Sequence, residues 1–546
     1  MYKNEKLLIG KNTKKEIYLL PNMANRHGLI TGASGSGKTI TLKVFAESFS
    51  DAGVPVFLVD VKGDLAGMPF KGEDSENIQK RVEKLQLDDF KLKGYPTTFY
   101  DVYGKNGHPI RATVKSVGPR LLSRMLDLTD TQEEVLGVVF KVAEVEDLDL
   151  IDLKDLDRVI THVTDNREEY SRKYGHISPQ SITSIKRAVL NLTDAGGNLF
   201  FGKPSFDVKD FMKYDSETGK GYINILDAQS LFKNPTTYVI LILWLLTTIF
   251  NEMDEVGDLP KPKLVFFFDE AHLIFSEMKD NVIKSLIQIV KLIRSKGVGL
   301  YFISQAPSDI KDEVLSQLGN RVQHVLRAYT KSDEKSITAA ANGFRANKEF
   351  DTEEAIRLLG TGEALVSFQN EKGEPEIVER VTILPPQSRM GTITDEEREE
   401  QIRKSRLYGK YENTVDEYSA EEKLEERAAE KKRLEEERLE EERKRKEEEQ
   451  KKKEEEERLK QEEKARLEEE KKKQKEEEEY RKREEKLRQQ EEKLREKEEA
   501  LKNKKTTSSS SRKKTTTQKI GDQLVNKTIG KATSKVVNTL WKSIFK

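Results

Sequence analysis

Cysteine is absent from the 546 residues of the chain. This absence excludes disulfide bonds, thiolate zinc sites and cysteine nucleophiles, and it fits a reducing compartment. The first residues, MYKNEKLLIGKNTKKEIYLL, lack the apolar run of a signal peptide. The most apolar window, Tyr238–Phe250, is too short for a comfortable membrane span and predicts a buried core helix instead. We therefore expect a cytoplasmic protein without membrane contact.

The chain also has no large excess of charge of one sign. Its net charge is −1, which gives no overall indication of polyanion binding. Apolar residues make up 35% of the chain and charged residues 36%, but these averages combine two different parts. Residues 1–390 have the apolar runs and glycine turns of a globular domain, whereas Glu, Lys, Arg and Gln dominate 421–505. The last stretch, 502–546, carries many lysines and one acidic residue, Asp522, so it forms a basic tail.

The globular part alternates strands and helices, which predicts an α/β fold with a mainly parallel sheet. A helical insertion is expected at about 118–200, where helical periodicity is clear and no convincing strand is found. The predicted strands are His27–Thr31, Val54–Val61, Leu264–Asp269, Val298–Ser304, Arg321–Leu326 and a last pair at 363–368 and 377–384. The principal predicted helices after the insertion are Thr236–Glu252 and Asn281–Arg294.

The remainder of the chain predicts four further segments. Residues 391–410 read as a linker, and 411–505 read as a charged single helix or a weak coiled coil, with disorder as the alternative. A single helix would be about 120 Å long at about 1.5 Å per residue. A flexible Ser/Thr/Lys hinge is expected at 506–517, and a basic amphipathic helix at 518–546.

One short motif carries most of the chemistry. The run Gly32-Ala33-Ser34-Gly35-Ser36-Gly37-Lys38-Thr39 matches the phosphate-binding loop G-x-x-x-x-G-K-[ST] between a predicted strand and a predicted helix. Its glycines allow backbone N–H groups to turn inward toward phosphates, and the following helix presents its N-terminus to them. Lys38 is predicted to contact the β- and γ-phosphates of ATP, and the Thr39 hydroxyl to coordinate Mg²⁺.

Acidic and polar side chains end the later strands. The apolar strand LVFFF is followed by Asp269 and Glu270, and a buried strand tolerates adjacent acids only at an open end. We expect Asp269 in the Mg²⁺ shell and Glu270 to orient and polarise the attacking water. Gln305 follows the next strand and can sense the γ-phosphate, or it can merely cap a turn. The run 60–64, DVKGD, ends on the same edge, where Asp64 could cap a turn or face the nucleotide.

A guanidinium commonly stabilises the charge that develops in phosphoryl transfer. Arg294, Arg321 and Arg327 lie near strand ends and are candidates for this role. Each of them could equally form a surface salt bridge.

Several stretches resemble the HerA/FtsK group of P-loop motors, and most closely its bacterial HerA-like family. They include ANRHGLITGASGSGKT, FLVDVKGDLAGM, FFFDEAHLIF and IVKLIRSKGVGLYFISQAPSDI. The resemblance implies a RecA-like core, a hexameric ring and ATP hydrolysis at subunit interfaces. It implies that Lys38 and Thr39 belong to Walker A, Asp269 and Glu270 to Walker B, that Gln305 is a sensor, and that Arg294 acts in trans.

Two functions of different classes follow. The first is a ring motor that hydrolyses ATP and moves double-stranded DNA, as the resemblance implies. The second is an ATPase that remodels or tethers protein assemblies, with the charged helix as a spacer toward a protein partner. A weaker third option is contact of the basic C-terminal helix with a membrane surface, against which that helix could pack on its own oligomer.

Overall fold

The computed structural model describes residues 1–231, 235–277 and 280–501. The chain divides into two compact units, Met1–Glu435 and Glu436–Lys546. The predicted hinge at 506–517 and the predicted amphipathic helix at 518–546 lie outside the described residues.

A single sheet organises the first unit. Its main path, in spatial order, is β1-β2-β13-β12-β11-β4-β10-β9-β5-β8-β6-β7, and β3 pairs with β2 beside it. The strands, numbered along the described chain, are β1 (Tyr2–Lys3), β2 (Lys6–Lys11), β3 (Glu16–Leu19), β4 (Gly28–Thr31), β5 (Val56–Asp60), β6 (Thr97–Asp101), β7 (His108–Pro109), β8 (Ile223–Asp227), β9 (Leu264–Phe268), β10 (Val298–Ser304), β11 (Asn320–Gln323), β12 (Glu363–Ser367) and β13 (Glu379–Ile383).

The central part of the sheet is parallel. β4 pairs with β10 and β11, β10 pairs with β9, and β5 links β9 to β8, all in parallel register. The residues of β4, β5, β9 and β10 are buried throughout, because helices cover both faces of a parallel sheet. This confirms the predicted α/β fold with a mainly parallel sheet, and it brings the carboxyl ends of these strands to one edge.

An antiparallel flank extends the sheet on the other side. β12 pairs antiparallel with β11 and with β13, and β13 pairs antiparallel with the N-terminal strand β2. The sequence patterns predict β12 and β13 but miss β1–β3 at the N-terminus. They also miss β6 and β8, which are short and lack long apolar runs.

Helices connect the strands. In chain order they are α1 (Lys38–Asp51), α2 (Glu76–Leu85), α3 (Val114–Met125), α4 (Asp130–Val145), α5 (Leu153–Asp165), α6 (Arg167–Tyr174), α7 (Pro179–Asp194), α8 (Gly197–Phe200), α9 (Pro235–Glu252), α10 (His272–Glu277), α11 (Asp280–Leu292), α12 (Asp312–Leu315), α13 (Lys331–Asn342), α14 (Thr352–Leu358), α15 (Asp395–Lys404) and α16 (Ala420–Leu501). The run α3–α8 occupies the stretch for which a helical insertion was predicted. Side-chain caps begin several of these helices, among them Thr129 before α4 and Ser178 before α7.

The apolar window Tyr238–Phe250 lies in α9. Tyr238, Trp244 and Ile249 are buried in the core that α9 shares with the helical insertion. In the part of the chain that the structure describes, no helix is both long and apolar enough to cross a membrane.

The segment after β13 continues the first unit. Residues 391–410, predicted as a linker, contain α15 and pack against the core. The buried Asp210 accepts a hydrogen bond from Tyr411 Oη at 2.8 Å and one from Lys410 Nζ at 2.6 Å. Glu412 pairs with His108, and Ser419 Oγ donates to Asp155. The first compact unit thus extends to Glu435, past the predicted boundary near residue 390. Polar anchors spaced along a hydrophilic segment leave no apolar periodicity in the sequence.

The second unit is described as far as residue 501, where it consists of the continuation of α16. Its residues 436–495 are exposed, and opposite charges four residues apart pair along it, for example Lys460 with Glu456 at 2.9 Å. Such pairs support an isolated helix. A charged helix was predicted here; whether it also forms a coiled coil stays a prediction.

Candidate nucleotide-binding site

The loop between β4 and α1 is hydrogen-bonded to the segments that follow β10 and β11. The N–H of Gly32 donates to the carbonyl of Gln305 at 3.1 Å, and the N–H of Ala33 donates to the carbonyl of Val325 at 2.8 Å. Gly35 and Gly37 have φ angles of 73° and 111°, a left-handed region that glycine enters without steric cost. The sequence motif thus folds into a loop curled around the start of α1.

This loop fits a polyphosphate. Among the described residues, the backbone N–H groups of Ser34, Gly35, Gly37, Lys38 and Thr39 have no hydrogen-bond partner, whereas those of Gly32 and Ala33 are paired. The first N–H groups of any α-helix lack partners within the helix, and the helix dipole adds positive potential there. Unpaired donors around a glycine loop are the arrangement that binds phosphate oxygens.

Lys38 points back into the loop. Its Nζ donates to the carbonyl oxygens of Gly32 at 2.6 Å and Ala33 at 3.1 Å. Burial lowers the pKa of Lys38, and the nearby carboxylates of Glu270 and Asp269 partly oppose this effect. The ammonium therefore lies within electrostatic range of both acids. Thr39 follows it in the first turn of α1 and is partly exposed.

Asp269 and Glu270 follow β9 at the same edge of the sheet. Both are buried, with 6% and 8% of their surface exposed. The backbone N–H of Glu270 donates to Asp269 Oδ1 at 2.9 Å. Burial, reinforced by the charge of Glu270, raises the pKa of Asp269 to about 6. A cation would stabilise the ionised form of this carboxylate.

The donor set suits Mg²⁺ rather than a metal held by protein alone. In the described residues, no group of three or more His, Asp or Glu side chains is arranged to hold a metal ion. Mg²⁺ commonly takes one or two protein oxygens and completes its shell with water and substrate phosphates. The Thr39 hydroxyl and the Asp269 carboxylate match that requirement.

Lys62 is a site residue that the sequence analysis did not single out. Its Nζ forms an ion pair with Glu270 Oε1. The turn that carries it is closed by Asp60, whose carboxylate accepts hydrogen bonds from Gly63 N at 2.7 Å and Leu65 N at 3.1 Å. Asp60 therefore caps this turn, a role considered for Asp64. One feature could have predicted Lys62: it lies two residues after β5, and β5 pairs with β9 in the sheet.

His324 is a second residue that was missed. It follows β11, and its ring bridges Thr41 Oγ1 and the carbonyl of Glu363, each at 2.8 Å. Burial lowers the pKa of His324 to about 4, so the ring is neutral near pH 7. The imidazole lies against the loop, since a Cβ added to Gly37 would lie 3.7 Å from His324 Cε1, and one added to Gly32 would lie 2.5 Å from His324 Cβ.

Gln305 lies where the sequence predicts it, directly after β10. Its carbonyl holds Gly32, and its side chain is exposed next to the loop. The turn that follows is closed by Asp309, which accepts hydrogen bonds from Ser304 Oγ at 2.6 Å and Ala306 N at 2.9 Å. The Gln305 amide is thus carried on a fixed turn at the same edge as Lys38.

Two of the candidate arginines, Arg294 and Arg321, are not brought to this site. Arg294 precedes β10, at the opposite end of the parallel strands, and its Nη2 lies 3.3 Å from Asp258 Oδ1. Arg321 donates to the carbonyls of Leu318 and Gly343 and therefore holds a turn. Arg327 is exposed beyond β11. Within one chain, Arg294 and Arg321 therefore do not stand beside Lys38.

A glycine loop with its lysine, at the same edge of a parallel sheet as two acids that end the next strand but one, defines the P-loop nucleoside triphosphatase class. The chain belongs to the family described as helicase HerA-like C-terminal, whose model matches residues 5–482. The resemblance noted in the sequence is thereby confirmed.

Named relatives include the DNA double-strand break repair helicases HerA of Sulfurisphaera tokodaii and Saccharolobus solfataricus. The first is 23% identical over 369 residues, which cover 66% of this chain and 65% of the relative. The second is 22% identical over 370 residues, which cover 66% and 64%. The match therefore spans slightly less than two thirds of these relatives.

Among solved structures, the unbound bacterial conjugative coupling protein TrwB is similar with a TM-score of 0.45 and 14% identity, over 68% of this chain and 90% of that one. VirB4 of Thermoanaerobacter pseudethanolicus is similar with a TM-score of 0.45 and 16% identity, over 70% and 97%.

Proposed function

We propose that this protein is an ATP-hydrolysing motor that acts on double-stranded DNA as a homo-oligomeric, hexameric ring in the cytoplasm. The observation that carries the hydrolytic part is the arrangement of Lys38 opposite Asp269 and Glu270. β4 and β9, which present them, are separated in the sheet by β10 alone. Residues 230 positions apart in the chain thus share one edge.

In this proposal, the phosphates of ATP are bound by the Lys38 ammonium and by the unpaired N–H groups of Ser34, Gly35, Gly37, Lys38 and Thr39. Thr39 and Asp269 hold Mg²⁺, which when bound neutralises phosphate charge and fixes its geometry. Glu270 orients the attacking water and draws on its proton. Gln305, fixed by the turn that Asp309 closes, contacts the terminal phosphate or that water.

The DNA and ring parts of the proposal rest on family membership and on the named function of the HerA relatives. Arg294 agrees with a ring, because it is part-exposed and lies at the opposite end of the strands from Lys38. Such an arginine can reach a nucleotide only in a neighbouring subunit, where it would stabilise the charge that develops on the phosphates.

The test is ATP turnover with and without duplex DNA at low salt, for wild type and Glu270→Gln, with particle mass measured by light scattering. We expect a hexamer whose turnover rises with DNA and falls by at least about a hundredfold in the variant, the usual scale for a lost proton-transfer group. If the protein hydrolyses ATP but does not bind duplex DNA, and if DNA does not change the turnover rate, the proposed action on DNA is refuted.

A second candidate is an ATPase that tethers or remodels protein assemblies. The exposed, charged helix at 436–495 favours it, because such a helix is long, solvated and free of an apolar seam over 440–458. A variant ending at residue 435 separates the two: a DNA motor keeps DNA-stimulated turnover without this helix, whereas a tether loses its protein partner.

A further inference from the structure

The two oxygens of the Glu270 carboxylate have different surroundings. Oε1 is engaged by the Lys62 ammonium, and Oε2 lies 3.3 Å from His272 Nδ1 without an aligned hydrogen bond. The side chain of Glu270 is only 11% exposed. A carboxylate in this state cannot readily polarise a water molecule.

The backbone keeps Glu270 in this position. Its φ is 49°, a left-handed conformation that is uncommon for a residue with a side chain. The next N–H, that of Ala271, donates to the carbonyl of Ile303 at 2.7 Å and fixes the chain to β10. The carboxylate can therefore change partners by rotating its side chain while the backbone stays in place.

The Lys62 side chain, in contrast, is not enclosed by its neighbours. Its turn is fixed by Asp60, but its side chain is 54% exposed. It is also close enough to Lys38 that its charge contributes to lowering the pKa of Lys38. A terminal phosphate bound by Lys38 would therefore lie in the field of Lys62 and would compete with Glu270 for the ammonium.

We propose that Lys62 is a positioning residue that restrains Glu270 in the nucleotide-free protein and releases it when a terminal phosphate attracts the ammonium. This inference rests on the proposed ATP hydrolysis and adds a regulatory step to it. The restraint would limit wasteful turnover before the phosphates are correctly seated.

The first test removes the charge but keeps the length of the side chain, in Lys62→Met, with Lys62→Arg as the conservative variant. We expect kcat/KM for ATP without DNA to rise by up to about fivefold in Lys62→Met, the factor that a half-exposed ion pair is worth, because the ATP-free enzyme no longer has this pair to break. The value of kcat, which reports the ATP-bound enzyme, should stay within twofold. Lys62→Arg keeps the pair and should stay within twofold of wild type. Lys141→Met serves as control, because it removes an exposed lysine from α4.

The second test does not depend on turnover. Thermal unfolding of nucleotide-free wild type, Lys62→Met, Glu270→Gln and the double variant forms a double-mutant cycle. We expect the sum of the Tm decreases of the two single variants to exceed the Tm decrease of the double variant by about 1–2 °C. This excess should vanish when a non-hydrolysable ATP analogue is bound.

The outcomes separate the two proposals. If Glu270→Gln retains full turnover, the proposed catalytic role of Glu270 fails. If Glu270→Gln is inactive but Lys62→Met lowers kcat/KM for ATP, Lys62 is needed for phosphate chemistry and the restraint is refuted. Additive shifts in Tm in the nucleotide-free protein would refute it as well.

Discussion

The imidazole Nε2 of His324 lies 2.8 Å from Thr41 Oγ1, so the end of β11 is tied to the first turn of α1 next to the phosphate-binding loop. The other ring nitrogen bonds the carbonyl of Glu363 at 2.8 Å. We expect His324→Ala to lower the free energy of unfolding by about 1–3 kcal/mol, because a buried carbonyl loses its partner. Urea unfolding measures this change. An unchanged midpoint would mean that the loop does not depend on the ring.

The same residue predicts a pH dependence. The pKa of His324 is about 4 in the folded chain, below its ordinary value of 6.5, so the unfolded chain binds the proton more tightly. Its contribution to stability is therefore complete above about pH 7 and is lost as pH falls from about 6.5 to about 4. The stability difference between wild type and His324→Ala should shrink over this range. The raised pKa of Asp269 changes stability with pH in the opposite direction. Because Asp269 is present in both proteins, its contribution cancels in the difference.

Two glycines of the loop should differ in their tolerance of alanine. A Cβ at Gly32 would lie 2.5 Å from His324 Cβ, whereas one at Gly35 meets nothing within 4 Å. Gly35→Ala should cost only the left-handed backbone penalty, about 1–2 kcal/mol. Gly32→Ala should add the overpacking cost of about 1–3 kcal/mol and abolish nucleotide binding. Equal effects in unfolding and ADP-binding assays would contradict the geometry.

Lys38→Ala should weaken ADP binding by at least about tenfold, because a charge-assisted contact to phosphate is worth about 1.5–3 kcal/mol. Fluorescence titration with a labelled ADP measures the affinity. The Lys141→Ala variant removes another lysine, 53% exposed on α4, and should bind like wild type. Comparable losses in both variants would point to general unfolding rather than to a phosphate contact.

Shortened chains test whether the first compact unit extends beyond residue 390 to Glu435. A chain of residues 1–435 should unfold near the Tm of the full protein and still bind ADP. A chain of residues 1–390 removes Lys410 and Tyr411 from the buried Asp210, and stripping the partners from a buried carboxylate costs about 3–5 kcal/mol. Equal melting temperatures for the two fragments would show that 391–435 adds nothing to the fold.

The elements predictable from sequence are those with a strong local signal. β9 and β10 are continuous apolar runs, and the loop 32–39 has a motif that demands its own geometry. Gln305 and the Asp269–Glu270 pair follow from such strands. Lys62 and His324 have no local pattern, since their roles come from neighbours that the sheet order supplies. The residues that anchor 391–435 could not be predicted for the same reason. Asp210 and Tyr411 belong to no local sequence pattern, and only the folded chain brings them into contact.

The pairing of β2 with β13 joins residues near position 10 to residues near position 383, and β4 lies between strands some 270 to 290 positions downstream. A ribosome therefore releases the phosphate-binding loop early but must make most of the chain before both flanks of β4 exist. Until β10 and β11 have been made, the apolar residues of β4 lack both of the neighbours that pair with them in the folded sheet.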